Sequence, residues 1–61
     1  MKEFRVIYFD GSHEECLGTF SSYKYALIFY EEIKATIVKG ETLSIDEWNE
    51  DYVETHRNFT P

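Results

Sequence analysis

Residues Glu3 to Phe9 constrain this chain most. In an extended backbone Phe4, Val6 and Tyr8 point to one side and Arg5, Ile7 and Phe9 to the other. Both sides are mainly apolar. Such a strand belongs in the middle of a sheet, with neighbours on both edges and cover on both faces. The rest of the sequence must supply those neighbours.

The first is close by. Asp10-Gly11 follows the strand, and an Asp-Gly pair between apolar runs signals a hairpin, through a type I′ turn with positive φ at both central residues. The return strand is Glu14 to Phe20, with Cys16, Gly18 and Phe20 on one face and Glu15, Leu17 and Thr19 on the other. Gly18 marks a bulge or a close approach of the helix that follows.

That helix is expected over 22–39. Ser21-Ser22 caps its start, without the Glu or Gln three residues on that would complete a capping box. Ala26, Leu27, Tyr30, Ile33, Ile37 and Val38 form one stripe at 100° per residue, with Tyr23 at its head. Gly40 reads as the residue just past the helix. Tyr25 and Ile28 fall on the opposite, polar side and are the candidate oligomer contact.

Beyond Gly40 two readings compete. Ser44-Ile45-Asp46-Glu47 is a formal capping box, with Leu43 and Trp48 as its hydrophobic staple, and predicts a second helix to about His56. Thr42 to Trp48 also alternates, with Leu43 and Ile45 on one side and Thr42, Ser44, Asp46 and Trp48 on the other. The strand reading is preferred, because the first strand needs a second neighbour and a lone hairpin is marginal. The expectation is therefore a single small α+β domain over 1–61. It has β-β-α-β order, a three-stranded antiparallel sheet in order 2-1-3, one helix on one face and an acidic tail over 49–61. The alternative is β-β-α-α.

Composition narrows the function. A chain of 61 residues buries only about 60% of its unfolded surface. Cys16 is the sole cysteine, so no internal disulfide assists it. Association is the remaining device, and eleven aromatic side chains exceed what so small a core encloses, so a homodimer is expected. Net charge is −6, and it is uneven: residues 1–40 carry six acids and five bases, whereas residues 41–61 carry six acids and only Arg57. Such a surface repels nucleic acid and anionic membranes and suits a basic protein partner. No signal-peptide pattern and no membrane-length apolar run is present, and a free cysteine fits a reducing cytoplasm, the host's if the chain is viral.

Catalytic chemistry finds no footing. The only histidines are His13 and His56, whose separation from Cys16 in sequence does not exclude a pair, but Cys16 lies in an apolar strand and reads as an inert core residue. There is no glycine-rich phosphate loop. Asp46, Glu47, Glu50, Asp51 and His56 do not follow the calcium-loop pattern, so neither a metal site nor a cofactor is expected. What remains is the acidic run around the single tryptophan. Asp46, Glu47, Glu50 and Asp51 suit steering toward a basic partner, with Trp48 and Tyr52 as anchors. In size, charge and lack of chemistry the chain resembles, at the level of class, phage-encoded inhibitors of host defence or of host nucleic-acid enzymes. That resemblance implies that the four carboxylates mimic phosphates. The rival readings are a structural homo-oligomer subunit and a weak metal- or small-ligand-binding protein.

Overall fold

The structure is a computed structural model and describes residues 2–61. Strands β1 (Glu3–Phe9) and β2 (Glu14–Phe20), helix α1 (Tyr23–Lys34) and strands β3 (Thr42–Trp48) and β4 (Val53–Phe59) follow one another. The four strands form one antiparallel sheet in order β2-β1-β3-β4. The α+β class and the order 2-1-3 agree with the sequence. The three-stranded sheet does not: the expected acidic tail supplies β4, which pairs along the outer edge of β3. No second helix forms over 45–56, because Glu47 turns inward beneath β4 instead of capping a helix.

β1 is central, as its two apolar faces require. Only one face is covered. Phe4 and Val6 join Leu43 and Ile45 of β3 and Ala26 and Tyr30 of α1 in the core, where Val6, Leu43, Ile45 and Ala26 are fully buried. The other side of β1 carries Arg5, Ile7 and Phe9 on a bare sheet face. Ile7 is 9% exposed there, screened by its neighbours on the same face, while Phe9 is 38% exposed.

Both hairpins are closed by the same device. Asp10 Oδ1 accepts the N–H groups of Ser12 (2.8 Å) and His13 (2.7 Å), and Asn49 Oδ1 accepts that of Asp51 (2.9 Å). The Asp10 and Asn49 N–H groups close their loops onto the His13 and Tyr52 carbonyls. The side chain of the first loop residue thus substitutes for a backbone turn. Within this loop only Gly11 has positive φ, +102°, so the first hairpin lacks the type I′ turn that Asp10-Gly11 predicts.

Each edge strand carries a bulge. Val6 pairs with Gly18 and Ile7 with Cys16, which leaves Leu17 as the extra residue. Ile45 pairs with Arg57 and Asp46 with Thr55, which leaves His56 extra. The first bulge breaks the alternation expected for β2: Leu17 packs against the core and Cys16 opposite Ile7 stays exposed. Bulges of this kind blunt exposed edges against strand addition. At Gly18 an added Cβ would lie 3.0 Å from the Phe20 ring, which is held against Phe29 at a centroid distance of 5.4 Å. Gly18→Ala is therefore expected to cost about 1–3 kcal/mol by overpacking, read as a lower denaturation midpoint.

α1 ends five residues short of the expected 39. Ser22 is the N-cap, its Oγ accepting the Lys24 N–H at 3.2 Å. At the other end the Thr36 hydroxyl and N–H both donate to the Ile33 carbonyl (2.7 and 2.8 Å). The β-branched run Thr36-Ile37-Val38 then leaves the helix. Val38, placed on the core stripe by periodicity, is 60% exposed. Its N–H donates to Glu41 Oε1 at 2.9 Å, and Glu41 also accepts the Tyr8 hydroxyl. Gly40, at φ +97°, shapes the turn closed by the Glu41 N–H on the Val38 carbonyl. Lys34 leans over the Phe59 ring, its Nζ 4.9 Å from the centroid.

Candidate functional site

The β3–β4 hairpin collects the acidic residues, and the alternation of β3 sorts them. Leu43, Ile45 and Glu47 face α1; Thr42, Ser44, Asp46 and Trp48 face away, as the sequence predicts. Asp46 is half-buried on the bare face, its Oδ1 accepting the Thr55 hydroxyl at 2.8 Å. Trp48 follows on the same face, 37% exposed, with the Arg5 guanidinium 4.0 Å above its ring. Arg5 Nε is also bonded to Glu3. A carboxylate and an aromatic ring thus hold one guanidinium from two sides.

Glu47 stands apart. It is 5% exposed, the one buried charged side chain among the described residues. Oε1 accepts from His56 Nε2 at 2.7 Å and Oε2 from the Tyr52 hydroxyl at 2.8 Å, with Lys2 Nζ 3.8 Å away. The bonds from His56 and Tyr52 hold its carboxyl below the usual range for glutamate. The same bond pushes the Tyr52 phenol up. The His56 ring also packs against Tyr23 (5.5 Å) and Phe4 (6.0 Å), and Arg57 Nε donates to the Tyr23 hydroxyl at 2.8 Å. Glu47 therefore ties β4 to β3 and to the start of α1.

The six predicted partner-binding residues accordingly divide. Asp46 and Trp48 lie on the bare face, and Glu50 and Asp51 are exposed in the turn. Tyr52 leaves the turn with 47% of its surface exposed although its hydroxyl is engaged. Glu47 is turned inward and presents no carboxylate to a partner. Two further hairpin residues belong with the exposed group: Val53, 51% exposed opposite Trp48, and Glu54. Their signal in the sequence was the β-branched alternation of Val53 and Thr55 ending at Phe59. The candidate oligomer pair lies elsewhere, Tyr25 60% and Ile28 50% exposed on the outer side of α1.

No family model, curated protein or solved structure matches this chain.

Among the described residues no group of three or more His, Cys, Asp or Glu is placed to hold a metal ion. No helix among them is long and apolar enough to cross a membrane. Cys16 sits on the bare face, its Sγ 3.5 Å from the Gly18 carbonyl and 3.7 Å from the Thr19 hydroxyl. Neither contact is a base that would make it a nucleophile.

Proposed function

We propose that the protein is a non-catalytic binding module that engages a basic protein surface through the β3–β4 hairpin. One observation carries this reading. Trp48 and Val53, 37% and 51% exposed, share the bare face with the Asp46 carboxylate, and the adjoining turn presents Glu50, Asp51 and Tyr52, 47% exposed, at the same end of the sheet. Large amphipathic side chains supply contact area at an interface, and the surrounding charges set orientation and encounter rate. Clustered carboxylates meet the same arginine and lysine groups that a phosphate backbone meets. Inhibition of a host defence or nucleic-acid-binding protein is the role this chemistry suits.

The test compares capture by the wild-type protein with capture by the triple variant Asp46→Asn, Glu50→Gln, Asp51→Asn. Glu47 is left intact so that the fold is preserved. Partners retained by the wild type should be basic, should elute with added salt, and should be lost from the variant. Retention of the same partners by both proteins overturns the reading. Trp48→Ala should weaken capture by at least about tenfold without loss of the sheet's circular dichroism.

A further inference from the structure

The bare sheet face contains a second feature, next to the hairpin. β3 presents Thr42, Ser44, Asp46 and Trp48 there, two small side chains, then a carboxylate, then a large ring. The small pair leaves a trough of about 330 Å³. Ile7 and Phe9 of β1 give it an apolar lining, Ser44 and Thr55 add hydroxyls, and Asp46 and Glu14 supply carboxylates. Its lining contains no base.

We infer that this trough seats an arginine side chain of the basic partner, with Asp46 as its carboxylate. The inference rests on the proposed function for the existence of that partner and adds where and how it is held. Three observations point to a guanidinium. First, the same face already holds one: Arg5 lies between the Trp48 ring and the Glu3 carboxylate. The trough repeats the ingredients, an aromatic ring from Phe9 and carboxylates from Asp46 and Glu14, with no cation in its lining; Arg5, opposite Asp46 in the strand register, is held away from it by Glu3 and Trp48. Second, the Thr55 hydroxyl engages one oxygen of Asp46 at 2.8 Å and so fixes the carboxylate on this face, leaving its other oxygen as an acceptor. Third, an apolar lining beside several acceptors matches an arginine, whose methylene stem packs while its planar fork donates several hydrogen bonds. An ammonium, a strongly hydrated point charge, uses such a lining less well. β1 is apolar on both sides, and the partner's stem covers the side that this chain leaves bare.

The test is a titration of the isotope-labelled protein with N-acetyl-arginine methylamide, followed by amide chemical shifts. The lysine analogue is run in parallel. Saturable millimolar binding is expected, with shifts centred on Ile7, Ser44, Asp46 and Thr55 and a weaker response to lysine. Asp46→Asn should reduce affinity about tenfold, because the amide keeps the Thr55 bond but lacks the charge. Thr55→Val should give a smaller loss. Shifts confined to Glu50, Asp51 and Glu54, equal response to both analogues, or no effect of Asp46→Asn would each overturn the assignment. Arginine binding in the trough alongside failed partner capture would refute the proposed function and leave the trough standing. Capture that survives Asp46→Asn, with a silent trough, would do the reverse.

Discussion

Ile45→Ala is expected to remove most of the stability of this protein. Ile45 is fully exposed to the core and not at all to solvent, sitting beside Val6 and Leu43 beneath Ala26 and Tyr30. Truncating a buried isoleucine costs about 2–5 kcal/mol, the transfer term plus the cavity left behind. A chain of this length has roughly 3–9 kcal/mol in total at 0.05–0.15 per residue. The variant should therefore be partly unfolded at room temperature, or show a urea midpoint well below wild type. Ile28→Ala is the matched control. Ile28 is half exposed on the outer side of α1, and its truncation should cost less than about 0.5 kcal/mol. A control loss as large as that of Ile45→Ala would show that the core has been misplaced. A loss that grows with protein concentration and fades on dilution would instead mark Ile28 as a contact between copies, since association stabilises by mass action.

That contrast also shows what the sequence carries. The residues that decide the fold obey simple periods. Phe4, Val6, Leu43 and Ile45 alternate, Ala26 and Tyr30 are four apart, and all six are buried. β1, β2 and β3 have the bounds that these alternations predict. β4 carries only a faint sequence signal, for a physical reason. Its residues are exposed apart from half-buried Phe59, so burial imposes almost no apolar pattern on it. What holds it is a backbone ladder, the Glu47, Asp46 and Tyr23 side-chain bonds, and Phe59 at its end against the core, and most of that leaves little trace in composition. The helix end departs from the periodicity for a related reason. Periodicity continues through Ile37 and Val38, but the Thr36 hydroxyl takes the Ile33 carbonyl and ends the helix locally. The candidate site is half legible: the acidic run and its aromatics are visible and the β3 alternation puts Glu47 on the inner face, but the partner that satisfies it there, His56, lies nine residues away and across a turn.

Glu47 therefore makes the sharpest pH prediction. Its folded carboxyl is held below the ordinary value by bonds from His56 and Tyr52. A group depressed on folding contributes stability that is fully present above its unfolded value, about 4.3, and that is lost as pH falls through the folded value. The other charged groups nearby are Lys2, 3.8 Å from Oε2, and Glu54, its cross-strand partner. Asp10 and Glu41 are also depressed, Asp10 by the His13 and Ser12 N–H groups and Glu41 by the Tyr8 hydroxyl and Val38 N–H, so they add to the same acid limb. Wild-type stability should thus be flat near neutrality and fall below about pH 5. Glu47→Gln should be less stable than wild type at pH 7 and lose less on acidification, with Asp10 and Glu41 accounting for the slope that remains. Amide exchange should show where the change acts. In the variant the β4 amides should exchange about tenfold faster, while those of β1 and β2 change only with global stability. Superimposable acid limbs for the two proteins would remove Glu47 as the tie. Uniformly faster exchange across all four strands would show that it supports the whole fold and not the attachment of β4, the strand that also carries Val53 and Glu54 of the proposed binding surface.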